Sequence, residues 1–107
     1  MRKPWRLDTD ARRDVAEAAN WHEAKEAGLG VAFAEVFGAR LEAAEERPGM
    51  ATQVILGGEA YRRVPLRGLR YSIWAIELES AHLVLAVSHQ RRDNAHWLGR
   101  DKRSRKR

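Results

Sequence analysis

The sequence contains no cysteine. Disulfides, thiolate nucleophiles and every cysteine-ligated zinc or iron–sulfur site are therefore excluded, and the redox compartment stays open. Proline is scarce, at three residues, and Pro48-Gly49 acts as a stop signal between two differently patterned halves. No run approaches the roughly 20 apolar residues that a membrane helix requires. The first residues, Met1 to Arg6, are basic but run into Leu7-Asp8-Thr9-Asp10 instead of an apolar stretch, so no secretory signal is read and a cytoplasmic location is expected. At 107 residues the chain is too short for two hydrophobic cores, which excludes two-domain enzymes. One domain over residues 1–99 is expected, followed by a flexible basic tail at 100–107.

Acidic charge is missing where basic charge gathers. Residues 1–61 hold eight Lys/Arg against eleven Asp/Glu, residues 62–99 hold six against three, and the last eight hold six against one. The first half is mildly acidic and the second basic, so the polarity asks for an anionic partner: nucleic acid, a ribosome, an acidic protein segment or an anionic surface.

The apolar positions give the architecture. Between Asp10 and Lys25, residues Ala11, Val15, Ala18, Ala19 and His22 form one stripe at helical spacing, with Thr9 or Asp10 available as a cap. Gly28 and Gly30 suit a helix end and a tight connection. From about Val31 to Glu46, Phe33, Phe37, Leu41 and Ala44 repeat at intervals of three and four, and Pro48-Gly49 stops this second helix. The short connection predicts an antiparallel helical hairpin. Beyond residue 50, runs rich in Val, Ile, Tyr and Trp predict three strands, Ala60 to Leu66, Tyr71 to Leu78 and His82 to His89, the last two forming a hairpin. Alternation puts Leu83, Leu85 and Val87 on one face of the last strand and Val84 and Ala86 on the other. A short extended piece at Pro4 to Leu7 adds a further strand. The expected fold class is α+β, a helical hairpin packed on a small, mostly antiparallel β-sheet whose other face is partly open.

Most catalytic constellations lack their parts. His22, His82, His89 and His96 show no i, i+4 pair, so no metal site is expected. Ser72, Ser80 and Ser88 lack the G-x-S-x-G setting, Gly57-Gly58 is not a phosphate loop, and no cofactor is implied. What remains is arginine at strand ends: Arg62, Arg63, Arg67, Arg70, Arg91 and Arg92. A guanidinium is a planar fork of donors matched to phosphate and carboxylate and does not readily lose its proton, so such a cluster suits anion recognition better than proton transfer. Trp97 either stacks on a base or partner surface or closes the edge of the core.

The order Ala11-Arg12-Arg13-Asp14-Val15, Ala18-Ala19-Asn20-Trp21-His22-Glu23-Ala24 and Gly28-Leu29-Gly30 followed by Phe33 resembles the N-terminal half of the RelE/ParE toxin superfamily, also described as plasmid-stabilisation proteins. Arg62-Arg63-Val64-Pro65-Leu66, the hairpin Tyr71 to Val87, and Leu85-Ala86-Val87-Ser88-His89-Gln90-Arg91-Arg92-Asp93 ending at Trp97 resemble its second half, so the likeness covers residues 4–98. The chain departs from the pattern at Leu69-Arg70, Ala75 and Asn94. The resemblance implies the toxin of a type II toxin–antitoxin pair, with a cognate antitoxin carrying an acidic, apolar segment as partner and DNA gyrase as target. In that reading Arg62, Arg63, Arg70, Arg91 and Arg92 anchor the target or another anion, with Trp97 at the interface. The ribonuclease branch of the superfamily implies cleavage of messenger RNA on the ribosome instead. There Arg92 matches a basic position, Ser72 stands where that branch has an arginine, and His89 and His96 are the candidates for proton transfer.

Overall fold

The computed structural model describes residues 3–100. In chain order these form strand β1 (Trp5–Leu7), helix α1 (Thr9–Lys25), helix α2 (Leu29–Glu46), and strands β2 (Thr52–Leu56), β3 (Glu59–Leu66), β4 (Tyr71–Glu77) and β5 (His82–His89). Single 3-10 turns lie at Pro48–Met50 and Asn94–His96. The strands make one mixed sheet in the order β1-β5-β4-β3-β2, antiparallel except for the parallel pair β1–β5. Both helices pack on one face of it, so the chain is a small α+β domain.

The helical stripes do what their spacing predicts. Ala11 and Ala18 of α1 and Phe33, Phe37 and Ala44 of α2 are buried against Val64, Leu66, Ile73, Val84 and Val87 of the sheet. Removing a Phe-sized side chain from water contributes about 1.5–3 kcal/mol, so Phe33 and Phe37 hold α2 in place. Two hydrogen bonds fix its height: Arg40 Nε donates to Pro65 O, and Glu45 Oε2 accepts the Trp5 N–H at 2.8 Å.

The helix starts differ from expectation. The N-cap of α1 is Asp8, whose side chain makes no capping bond. Helix α2 begins at Leu29 rather than Val31, after Gly28 in the left-handed region at φ +93°. The Glu23 carboxylate of α1 caps it, accepting the N–H groups of Gly28 and Gly30. Those bonds favour the ionised form and hold Glu23 below its ordinary pKa. Gly30 thus lies inside α2. A Cβ there would sit 2.8 Å from the Ala19 carbonyl oxygen, so the glycine is what lets the two helix backbones approach.

Two features of the sheet were not expected. Strand β2 precedes Gly57-Gly58, both at positive φ, which form the tight turn of a β2–β3 hairpin. In β5, Trp74 pairs with Ala86 but Ala75 pairs with Val84, leaving Leu85 as an extra residue in a β-bulge. The bulge resets the alternation. Leu85 and Ala86 both face away from the helices, and Val87 joins Val84 beneath them instead of sharing a face with Leu83 and Leu85.

The face away from the helices has its own core. Trp97, fully buried, packs against Trp74 and Tyr61 with ring centroids 4.9 and 5.3 Å apart, and Ile76, Leu85 and Ala86 complete the cluster. Its indole N–H donates to Asn94 Oδ1, and Asp93 caps the turn through the Ala95 N–H. Trp97 therefore closes the core and offers no surface to a partner.

Candidate anion site

Three segments meet at one end of the sheet: the turn from Arg67 to Arg70, the start of β4 and the end of β5. Arg70 has φ +57°, the only non-glycine among the described residues in the left-handed region. Such a conformation costs roughly 1–2 kcal/mol and needs support from its surroundings. Its carbonyl supplies that support by accepting the Gln90 N–H at 2.7 Å, which ties the turn to the segment that follows β5. Arg70, Arg91 and Arg92 are all exposed here. None of the three pairs with a carboxylate among the described residues.

The arginines of β3 have other duties. Successive residues of a strand point to opposite faces. Arg62 lies on the helix-side face and donates to Glu77 at 3.3 Å, away from the cluster; the hydrogen bond from Lys3, and then this one, depress the Glu77 pKa. Arg63 lies on the opposite face, where Nε donates to Ser72 Oγ at 3.0 Å. Of the six expected residues, Arg63, Arg70, Arg91 and Arg92 thus share this end of the sheet, whereas Arg62 and Trp97 do not join them.

Ser72 and Ser88 are cross-strand partners, each nearly fully buried. Ser88 Oγ lies 2.8 Å from His96 Nε2. Burial, and then repulsion by the Arg92 charge, lower the His96 pKa, so the ring is neutral at pH 7. A neutral ring can accept the Ser88 hydroxyl proton in a hydrogen bond. His89 is engaged differently: Nδ1 accepts the Arg91 N–H, and the ring meets Tyr71 edge-on at 5.1 Å. Burial raises the Tyr71 pKa against the opposing effect of Arg92. His22, stacked on Phe33, donates from Nδ1 to the Ala18 carbonyl and is part of the packing.

At this end of the sheet lies a hollow of about 200 Å³ lined by Arg63, Ser72, Trp74, Ser88, His89, Gln90, Arg92 and Asn94. Ser88, His89 and Arg92 also line a neighbouring cleft of about 170 Å³, whose far wall is Asp14, Glu17, Trp21 and Tyr71. The guanidinium groups of Arg63 and Arg92 beside one hollow match the donor demand of a phosphate or carboxylate. A larger hollow of about 1180 Å³ at the β1 end also holds two arginines, Arg6 and Arg12, and the hydroxyls of Thr9 and Ser80, but Asp8 and Glu79 set two carboxylates beside them. Sequence reasoning missed Ser72, Ser88 and Asn94. The available signal was a serine at matching positions in each of two apolar strands, since a buried hydroxyl requires a partner.

Beside the site, the edge of β5 beyond β1 is closed by side chains. Asp14 Oδ2 accepts the Val87 N–H at 3.0 Å, and Arg100 Nη1 donates to Asp14 Oδ2 at 2.8 Å and to the Leu85 carbonyl at 2.9 Å. Arg100 therefore belongs to the folded domain rather than to the tail, and the rest of the expected tail, 101–107, lies outside the described residues. No family model and no curated protein matches the chain.

Proposed function

We propose that this chain is the toxin of a type II toxin–antitoxin pair, of the RelE/ParE kind, acting in the cytoplasm. It inhibits growth by binding DNA gyrase and is neutralised in a hetero-oligomer with its antitoxin. The observation that carries the reading beyond sequence resemblance is the arginine end of the sheet, where Arg70, Arg91 and Arg92 stand exposed with no carboxylate partner among the described residues. Binding is favoured over catalysis because the nearby imidazoles are already engaged: His96 Nε2 with Ser88, and His89 Nδ1 with the Arg91 N–H. An acidic, apolar antitoxin segment suits the cleft that half-exposed Trp21 and exposed Arg92 both line.

The test is induced expression of the protein alone in a bacterium, with DNA supercoiling and transcript integrity followed in parallel within minutes. Lost supercoiling or DNA breaks with intact transcripts support the reading. The reading fails when the protein neither inhibits gyrase nor binds the product of a neighbouring small gene.

One observation favours a second reading, a ribosome-dependent messenger RNA endoribonuclease. Arg63, Arg92 and Ser88 border one hollow, with His96 Nε2 behind Ser88 at 2.8 Å from its hydroxyl, and RNA cleavage needs phosphorane stabilisation together with an acid–base group. Arg92→Ala separates the two. A nuclease loses toxicity outright, whereas a binding toxin loses it by degrees across Arg70, Arg91 and Arg92.

A further inference from the structure

The two edges of the sheet are treated unequally. At one edge β1 has three residues, and beyond it Asp14 and Arg100 occupy the backbone groups of β5. At the other edge β2, Thr52-Gln53-Val54-Ile55-Leu56, pairs only with β3 among the described residues. It holds no charged residue and no proline, the usual means of blunting an edge. Ile55 is 58% exposed, one of three large apolar side chains so displayed among the described residues.

We propose that β2 is a self-association edge, and that two copies of this chain pair antiparallel through it about a two-fold axis at Val54. The proposal is independent of the toxin reading. Three observations favour a second copy as occupant. On the Trp97 side of the sheet, Leu83 pairs with Ile76 and Tyr61 with Val54, all in one apolar cluster that reaches the edge and ends there. A two-fold at Val54 continues that band into the matching band of the second copy. Each chain is net positive, but the seam itself holds no charged residue, so no like charges meet directly across it. Finally, Leu56 lies opposite Thr52 of the second copy; because Leu56 pairs with Glu59 and Thr52 with Arg63 within each chain, each end of the seam is flanked by charges of opposite sign. In the same register Gln53 of one copy faces Ile55 of the other.

Sedimentation equilibrium of the full chain, from about 1 µM to about 1 mM, tests the association expected of a seam this small. Two double variants at exposed positions test the register. Gln53→Lys with Ile55→Lys sets ammonium groups directly opposite each other and is expected to weaken association by about tenfold or more. Gln53→Lys with Ile55→Glu sets opposite charges face to face and is expected to retain it. Far-ultraviolet circular dichroism checks that both variants fold. Should either fail to fold, concentration-dependent protection of the β2 amides of the unaltered chain against hydrogen exchange reads the same seam. A chain that stays monomeric throughout, variants that associate equally, or β2 amides whose exchange ignores concentration would each overturn the proposal.

Discussion

Arg100 is the residue whose removal most sharply tests how the edge of β5 is held. Its guanidinium makes hydrogen bonds of 2.8 and 3.4 Å to Asp14 and 2.9 Å to the Leu85 carbonyl, with Asp10 at 3.8 Å. Arg100→Ala removes all of these and leaves the Asp14 carboxylate with the Val87 N–H as its one hydrogen-bond partner among the described residues. Breaking one side of a buried ion pair costs about 3–5 kcal/mol. The side chains of Arg100 and Asp14 are 17% and 12% exposed, so water offsets part of the loss. The expected cost is about 2–3 kcal/mol, equivalent to a fall in Tm of roughly 8–20 °C for a domain of this size. Urea and thermal denaturation of Arg100→Ala, Asp14→Asn and the double variant measure it, and the double-mutant cycle should return a coupling above about 1 kcal/mol. Amide exchange at Val87 should accelerate in the Asp14 variant. A change in Arg100→Ala below about 0.5 kcal/mol, the scale of an ordinary surface substitution, refutes the account.

Three further outcomes follow from the packing. Trp97→Ala is expected to cost about 3–5 kcal/mol, because the ring fills the space between Tyr61 and Trp74; an equilibrium urea titration should show loss of fold rather than a folded protein with weaker target binding. Gly30→Ala places a methyl group against the Ala19 carbonyl oxygen and should destabilise by about 1–3 kcal/mol, read as a lower urea midpoint. His82, stacked on Trp5 at 4.5 Å, has its pKa lowered chiefly by burial, with Lys3 and Arg62 adding to the effect and Glu77 opposing it. The unfolded chain therefore takes up the proton first: stability is full above the ordinary histidine pKa of about 6.5 and falls as pH drops through it toward the lower folded value. The His96 pKa, also lowered by burial, adds a slope of the same sign; melting curves between pH 8 and 5 should show the sum, and His82→Phe should reduce it.

The helices were legible because Phe33, Phe37 and Ala44 repeat with one period and bury one stripe. Their starts were less so. Helix α1 starts after Asp8 without a side-chain cap, and α2 is capped by Glu23 across a joint, through a bond that no local pattern encodes. Strand β2 was legible in principle, since Gly57-Gly58 after Thr52 to Leu56 is a hairpin signal, but the five residues before it carry no clear alternation of polar and apolar side chains. The facing of β5 was not legible. A bulge is fixed by the partner strand, and nothing in Leu85-Ala86 announces it. The arginine cluster divided for an elementary reason: Arg62 and Arg63 are neighbours in sequence and lie on opposite faces of one strand. Which of them meets Ser72 rather than Glu77 depends on the register of β4.

The extra residue in β5 has a consequence for how the gene can change. Because Leu85 and Ala86 together occupy one position of the ladder, losing either would straighten the strand yet leave Ser88 turned toward His96 and Val87 beneath the helices. The same eight residues without a bulge would turn His89 toward His96 and Ser88 under α1. The bulge is thus slack in chain length, the point in this sheet where a codon can be deleted without inverting the arginine end.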